Sequence, residues 1–253
     1  MTTRERFPHP MVKSVAFEIR FPHLFFLESK MGDIQLKVLE RFPETSLSVR
    51  RQFIVADTSS DFATSTPAKS DEPVTKKIWR FDDTQGTTLS LETNSLSIVS
   101  TKHTTYNTPG THPFRETIEF AVGAFLEVAQ LQSFLRIGLR YVNECPVPQK
   151  DNATISKYYA TALPLARFDI SQASKMEFET VGEASGSRFR YAERLQAPQD
   201  GTPTLLLDLD AFREKTPAAD YLSVLDKLHE TISSEFDKTL KDPARELMRT
   251  PRP

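Results

Sequence analysis

Cysteine is almost missing from this 253-residue chain, with Cys145 the only one. That excludes an intramolecular disulfide framework and any multi-cysteine metal site, and a lone thiol fits a reducing interior, so a cytoplasmic location is expected. Excess charge is missing as well. The 32 Lys and Arg stand against 34 Asp and Glu, for a net charge of -2, so no overall field draws the chain to nucleic acid or to an anionic membrane surface. No uninterrupted apolar run approaches the roughly 20 residues of a membrane span. The N-terminus Met1-Thr2-Thr3-Arg4-Glu5-Arg6 carries no apolar signal core, which leaves the sequon at Asn152 without a route to glycosylation. Glycine is scarce, at 8 residues. No Walker-type loop, dinucleotide fingerprint, nucleophile elbow or His-Glu-x-x-His helix occurs, so no cofactor is called for and no common enzyme signature is present.

What the chain does have is a core. Hydrophobic residues make up 38% of it and 18 are Phe, enough for one large domain or two small halves. Val15, Phe17, Ile19 and Phe21 alternate with polar or small residues, the period of a strand with one covered face. Between Pro22 and Pro43, Leu27, Met31, Ile34, Val38 and Phe42 fall at three- and four-residue steps and predict a helix. Strand patterns follow near 46–56, 76–81, 87–92 and 95–101 and read as an antiparallel meander. The polar stretch 57–75 predicts a long mobile loop inside the domain.

After Pro113, Phe114, Ile118, Ala121, Val122, Phe125 and Ala129 define a second helix, and a strand at 133–144 follows it. Further strands near 175–181, 187–195 and 204–212 lead to a long helix marked by Tyr221, Leu225, Leu228, Ile232, Phe236 and Leu240. Thr216 is placed to cap that helix, with Pro217 in its first turn. The tail 242–253 is expected to fray. The fold class is therefore α+β, with antiparallel meanders packed on long amphipathic helices in a single domain spanning 1–253. Two readings of it stay open: a degenerate β-β-β-α duplication with pseudo-repeats 1–145 and 146–253, or one curved sheet gripping a helix, with room for a ligand between them.

The segment Arg136-Ile137-Gly138-Leu139-Arg140-Tyr141-Val142-Asn143-Glu144 is the densest in hydrogen-bonding groups. Alternation points Ile137, Leu139, Tyr141 and Asn143 one way and Arg136, Gly138 and Arg140 the other. Two arginines flanking a glycine could hold an anion or a partner peptide. Equally, Arg140 could pair with an acidic residue across the sheet while Gly138 makes room for an aromatic ring. Asn143 could contact a ligand or cap a turn. Asp208 and Asp210 share a strand face and are weak candidates for a divalent metal, or simply the wet face of that strand. Arg188, Arg190 and Arg194 interleave with Phe189 and Tyr191 like a nucleic-acid surface, but Glu193 and Glu183 argue for a solvated face. Cys145 has no sequence signature tying it to a histidine base.

In its Pro10-Met11-Val12-Lys13-Ser14-Val15-Ala16-Phe17-Glu18-Ile19-Arg20-Phe21 strand, Ile78-Trp79-Arg80-Phe81, Gly138-Leu139-Arg140-Tyr141-Val142-Asn143 and the closing helix with Leu228, His229 and Phe236, the chain resembles a sporadically distributed family of prokaryotic proteins of uncharacterised function. The resemblance spans nearly the whole chain and implies a shared α+β fold and an accessory role in mobile-element or defence settings. It transfers no activity. The leading expectation is a non-enzymatic binding or interaction protein that meets an unidentified protein partner or small ligand through Arg136, Arg140, Tyr141 and Asn143. The alternative is a small-molecule-binding protein or metal-assisted hydrolase built on a sheet–helix cavity or on Asp208 and Asp210.

Overall fold

The computed structural model describes residues 7–52, 74–102, 106–107, 113–173, 175–196 and 203–250. The loop expected at 57–75 lies outside these up to residue 73, and residues 74 and 75 already belong to a strand. In chain order the elements are β1 (Val12–Arg20), α1 (Met31–Val38) entered through a 3-10 turn, β2 (Glu44–Gln52), β3 (Val74–Asp82), β4 (Thr87–Glu92), β5 (Ser95–Ser100) and α2 (Phe114–Ala129). Then follow β6 (Ser133–Pro146), α3 (Asn152–Tyr158), β7 (Lys175–Ala184), β8 (Ser187–Gln196), β9 (Thr204–Pro217), α4 (Tyr221–Thr239) and α5 (Asp242–Arg249).

All nine strands join one antiparallel sheet in the order β2-β3-β4-β5-β1-β6-β9-β8-β7. The sheet is open, ending in β2 at one edge and β7 at the other. Its order of parts repeats about the central β1–β6 pair. Each half leads with a central strand, passes through a short helix, returns by a meander whose last strand pairs with the leading one, and closes with a long helix. This grouping places β6 with β7 to β9 and α4, so the repeat in topology divides between α2 and β6 rather than after residue 145.

The alternation read from the sequence sets the two faces of the sheet. Val15, Phe17, Ile19, Leu89, Leu91, Leu96, Ile98, Ile137, Leu139, Leu207 and Leu209 are buried on the side that carries the helices. The helix stripes close over them: Phe21 meets Phe125 of α2 with ring centroids 4.9 Å apart, and Leu225, Leu228 and Ile232 of α4 are buried against β6 and β9. Burying side chains of this size stabilises by about 1.5–3 kcal/mol each, so this layer dominates the fold. Turns follow local chemistry. Ser185 and Gly186 join β7 to β8 in a two-residue turn with φ of 53° and 74°, the doubly left-handed geometry that matches the twist of a hairpin.

Two elements differ from expectation. Thr216 does not cap α4: β9 continues through Pro217 because Phe134 and Ser133 pair with Thr216 and Pro217, and the helix starts at Tyr221 after a 3-10 turn. The tail does not fray at residue 242. Pro243 occupies the first turn of α5, whose Ala244 and Met248 are buried at 0% and 1% exposure. The Met248 carbonyl accepts from His9 N–H at 3.0 Å, and Lys241 N–H reaches the Tyr158 carbonyl at 3.0 Å. An eight-residue helix of mostly polar composition holds only by such docking. Met248→Ala should cost about 2–5 kcal/mol in urea unfolding and speed amide exchange across α5. An unchanged midpoint would mean that the helix is not docked.

Candidate functional site

The four residues singled out on β6 divide between its faces, as the alternation dictates. Arg136 and Arg140 lie on the open face with Gly138, while Tyr141 and Asn143 lie on the covered face beneath α4.

On the open face the arginines are committed to partners. Arg140 Nε and Nη2 each donate to Asp208 at 2.7 Å, a bidentate clasp across the β6–β9 ladder. Arg190 of β8 donates to the same carboxylate at 2.8 Å and to Glu179 of β7 at 2.8 Å. Arg136 reaches Asp210 at 3.2 Å and Glu18 of β1 at 3.4 Å, and Glu18 also accepts from Arg20. Gly138 makes room for the Arg136 side chain: a Cβ there would come within 2.7 Å of Arg136 Nη1. The guanidinium so placed sits 4.4 Å from the Phe212 ring centroid, and Arg188 approaches that ring at 5.4 Å. An aromatic ring is thus part of the arrangement, as one reading of Gly138 expected, but the group packed over the glycine is Arg136.

Asp208 and Asp210 serve as counter-ions in this web. A divalent cation would have to expel guanidinium groups from both, and among the described residues no three His, Cys, Asp or Glu side chains gather as a metal site. The basic alternation on β8 is likewise drawn into pairs, with Arg190 as above and Arg194 on Glu177 of β7. Cys145 is fully buried on β6 opposite Leu205.

The covered face forms a pocket of about 410 Å³ lined by Phe7, Val12, Tyr141, Asn143, Ile232, Ser233, Phe236, Asp237 and Arg245. A bulge shapes its wall. Regular pairing of β1 with β6 would set Lys13 opposite Asn143, but the register shifts between Val12 and Ser14 and puts Val12 there instead, so the bulge replaces a charge by an apolar surface. Asn143 is 2% exposed. It caps no turn: its Nδ2 donates to the Leu207 carbonyl at 3.3 Å, and among the described residues no group donates to its Oδ1. Tyr141 is buried beside it, 6.1 Å from the His229 ring, and burial pushes its phenol far above the usual tyrosine range, so it stays neutral at physiological pH. His229 stacks on Tyr106 at 3.8 Å. The rim holds Arg245, which donates to the Asp237 carbonyl at 2.9 Å and lies 3.5 Å from the Asp237 carboxylate.

Sequence reasoning marked Tyr141 and Asn143 but missed Val12, Ser233, Asp237 and Arg245. Ser233 and Asp237 flank Phe236, which marks the inner stripe of α4, and could have been found from it. Arg245 lies in a segment expected to fray, and nothing local signals a bulge at Lys13. No protein-family model matches the chain, and no curated protein matches it. Among the described residues no helix is long and apolar enough to cross a membrane.

The two aspartates carry opposite pH signatures. Burial acts to raise Asp208, but the hydrogen bonds and charges of Arg140 and Arg190 outweigh it and hold the carboxyl below its usual range. Its stabilisation is present above the unfolded pKa and lost as pH falls through the folded one. Burial raises Asp210, and Arg136 and Arg140 offset this only in part, so its ionisation opposes folding as pH rises through the carboxylate range. Asp208→Asn should cost about 2 kcal/mol at pH 7, a deficit that shrinks on acidification. Asp210→Asn should change stability with the opposite slope. Urea midpoints between pH 3 and pH 7 decide it, and parallel slopes for both variants would refute the assignment.

Proposed function

We propose that this protein binds a small ligand in the pocket between β6 and α4. The reading is supported above all by Asn143, a residue only 2% exposed whose amide lines the pocket and whose Oδ1 accepts no hydrogen bond among the described residues. A ligand N–H or O–H donated to that oxygen would replace pocket water with a fixed hydrogen bond, worth about 0.5–1.5 kcal/mol net. The pocket volume falls within the few hundred Å³ typical of small-molecule sites, and its walls are mainly apolar with a few convergent polar groups. The outer end of the pocket is polar, with Arg245 and Asp237 paired at 3.5 Å. The ligand is therefore a small, largely apolar molecule with a donor at its inner end and a polar group at its outer end.

Recognition of a partner through Arg136 and Arg140 is the weaker reading, because a partner would have to break a bidentate pair and a shared carboxylate to reach them. A cytoplasmic location, membership of the sporadic prokaryotic family and an accessory role in mobile-element or defence settings belong to this proposal too. The Gly138 to Asn143 motif is their main support.

Indole-3-acetate has such a donor, an apolar ring and a polar end, and 1-anilinonaphthalene-8-sulfonate gives a fluorescent probe with the same three features. The probe should brighten on the folded protein and be displaced by indole-3-acetate. Asn143→Leu should weaken displacement about tenfold, the loss of roughly 1.4 kcal/mol. Ser233→Trp, which fills the pocket, should abolish it. Probe binding that survives Ser233→Trp unchanged in a protein of native circular dichroism would sink the proposal.

A further inference from the structure

We infer that a second cleft, independent of the pocket above, binds small alkylammonium cations. It has a volume of about 570 Å³ and lies between the β7–β8 hairpin, the last turn of α4 and residues 160–162. Three aromatic side chains line it: Phe178 from β7, and Phe189 and Tyr191 from β8. The rings of Phe178 and Tyr191 meet edge to face, at 66° with centroids 6.5 Å apart, so the pair is held in a fixed arrangement at the side of the cleft. Opposite Phe189 in the register is Gly182, where an added Cβ would meet nothing within 4 Å, so the floor of the cleft is open space.

Charge points to a cation. Glu235 lines the cleft together with Lys238, which it binds at 2.6 Å, while Glu183 borders it from the edge strand with its side chain on the opposite face of the sheet. Behind the rings Glu193 is 1% exposed and accepts hydrogen bonds from Tyr191 Oη, Thr161 Oγ1 and, at 3.1 Å, Ala162 N–H. A phenol that donates to a carboxylate gains electron density in its ring, which strengthens its attraction for a cation. The cleft also meets the C-terminal turn of α4, the negative end of that helix. An anion would face ring faces and carboxylates. A metal ion would find few oxygen ligands against three hydrocarbon rings. A bare ammonium keeps its water, whereas an alkylated one is weakly hydrated and can give its methyl groups to the rings. The ligand class is therefore a quaternary or tertiary alkylammonium free in solution.

The test is titration calorimetry of the full chain with choline, tetramethylammonium and 3,3-dimethyl-1-butanol, the uncharged isostere of choline. Both cations should bind saturably, and the alcohol about tenfold more weakly or not at all. Phe178→Leu keeps apolar bulk but loses the ring, and Gly182→Leu fills the floor; each should reduce choline affinity about tenfold or more. Displacement of the naphthalene probe from the other pocket should stay unchanged in both variants, which separates failure here from failure of that reading. Equal binding of choline and the alcohol, no binding of choline to the native protein, or unaltered affinity in both variants would each overturn the proposal. Co-sedimentation with phosphatidylcholine vesicles without binding of free choline would overturn the assignment to a free ligand.

Discussion

The pairing of β6 with β1 on one side and β9 on the other is the constraint on which the rest of the molecule depends. These ladders run nearly the full length of β6 and join the two halves of the sheet. Side-chain period along a strand is two, so a slip of one residue would carry Leu139 and Tyr141 to solvent and Arg140 into the core. Burial alone therefore fixes the register. Each fully buried Leu or Phe contributes about 1.5–3 kcal/mol, whereas an exposed ion pair contributes up to about 1 kcal/mol. The ion web on the open face is accordingly a second, weaker lock: Asp208 is held by Arg140 from β6 and Arg190 from β8 at once, which a shifted register could not reproduce.

Much of this was legible in the chain. Val15, Phe17 and Ile19 announced the covered face of β1, and Leu27, Met31, Ile34, Val38 and Phe42 announced a helical stripe; all are buried, but only Met31, Ile34 and Val38 lie in α1, with Leu27 in the 3-10 turn before it and Phe42 beyond its end. The same alternation separated Arg136 and Arg140 from Tyr141 and Asn143 before any contact was known. What escaped depends on long-range partners. The bulge at Lys13 is visible only when β1 is laid against β6, and α5 has a short polar sequence whose helicity comes from docking. Thr216 looks like a helix cap because its surroundings resemble one, yet β9 keeps it in the ladder through Phe134. The role of Asp208 needed the register of three strands, since residues 140, 190 and 208 lie far apart in sequence and meet only across the sheet.

The two faces of β6 also divide their labour physically. A binding floor works best when its groups do not have to be ordered on binding, because each immobilised side chain reduces affinity by about 0.5–1.5 kcal/mol. The arginine clasps on the open face hold the backbone of β6 from behind, and the Leu207 carbonyl holds the Asn143 amide in its plane. Asn143 Oδ1 is thereby fixed in direction. The polar density of this strand thus has two causes: on one side it closes an ion web, and on the other it sets a tyrosine and an asparagine in the wall of the pocket. Loss of the web would act on the pocket through strand order rather than through contact, so its effect there would appear as added mobility of β6 and not as a missing hydrogen bond.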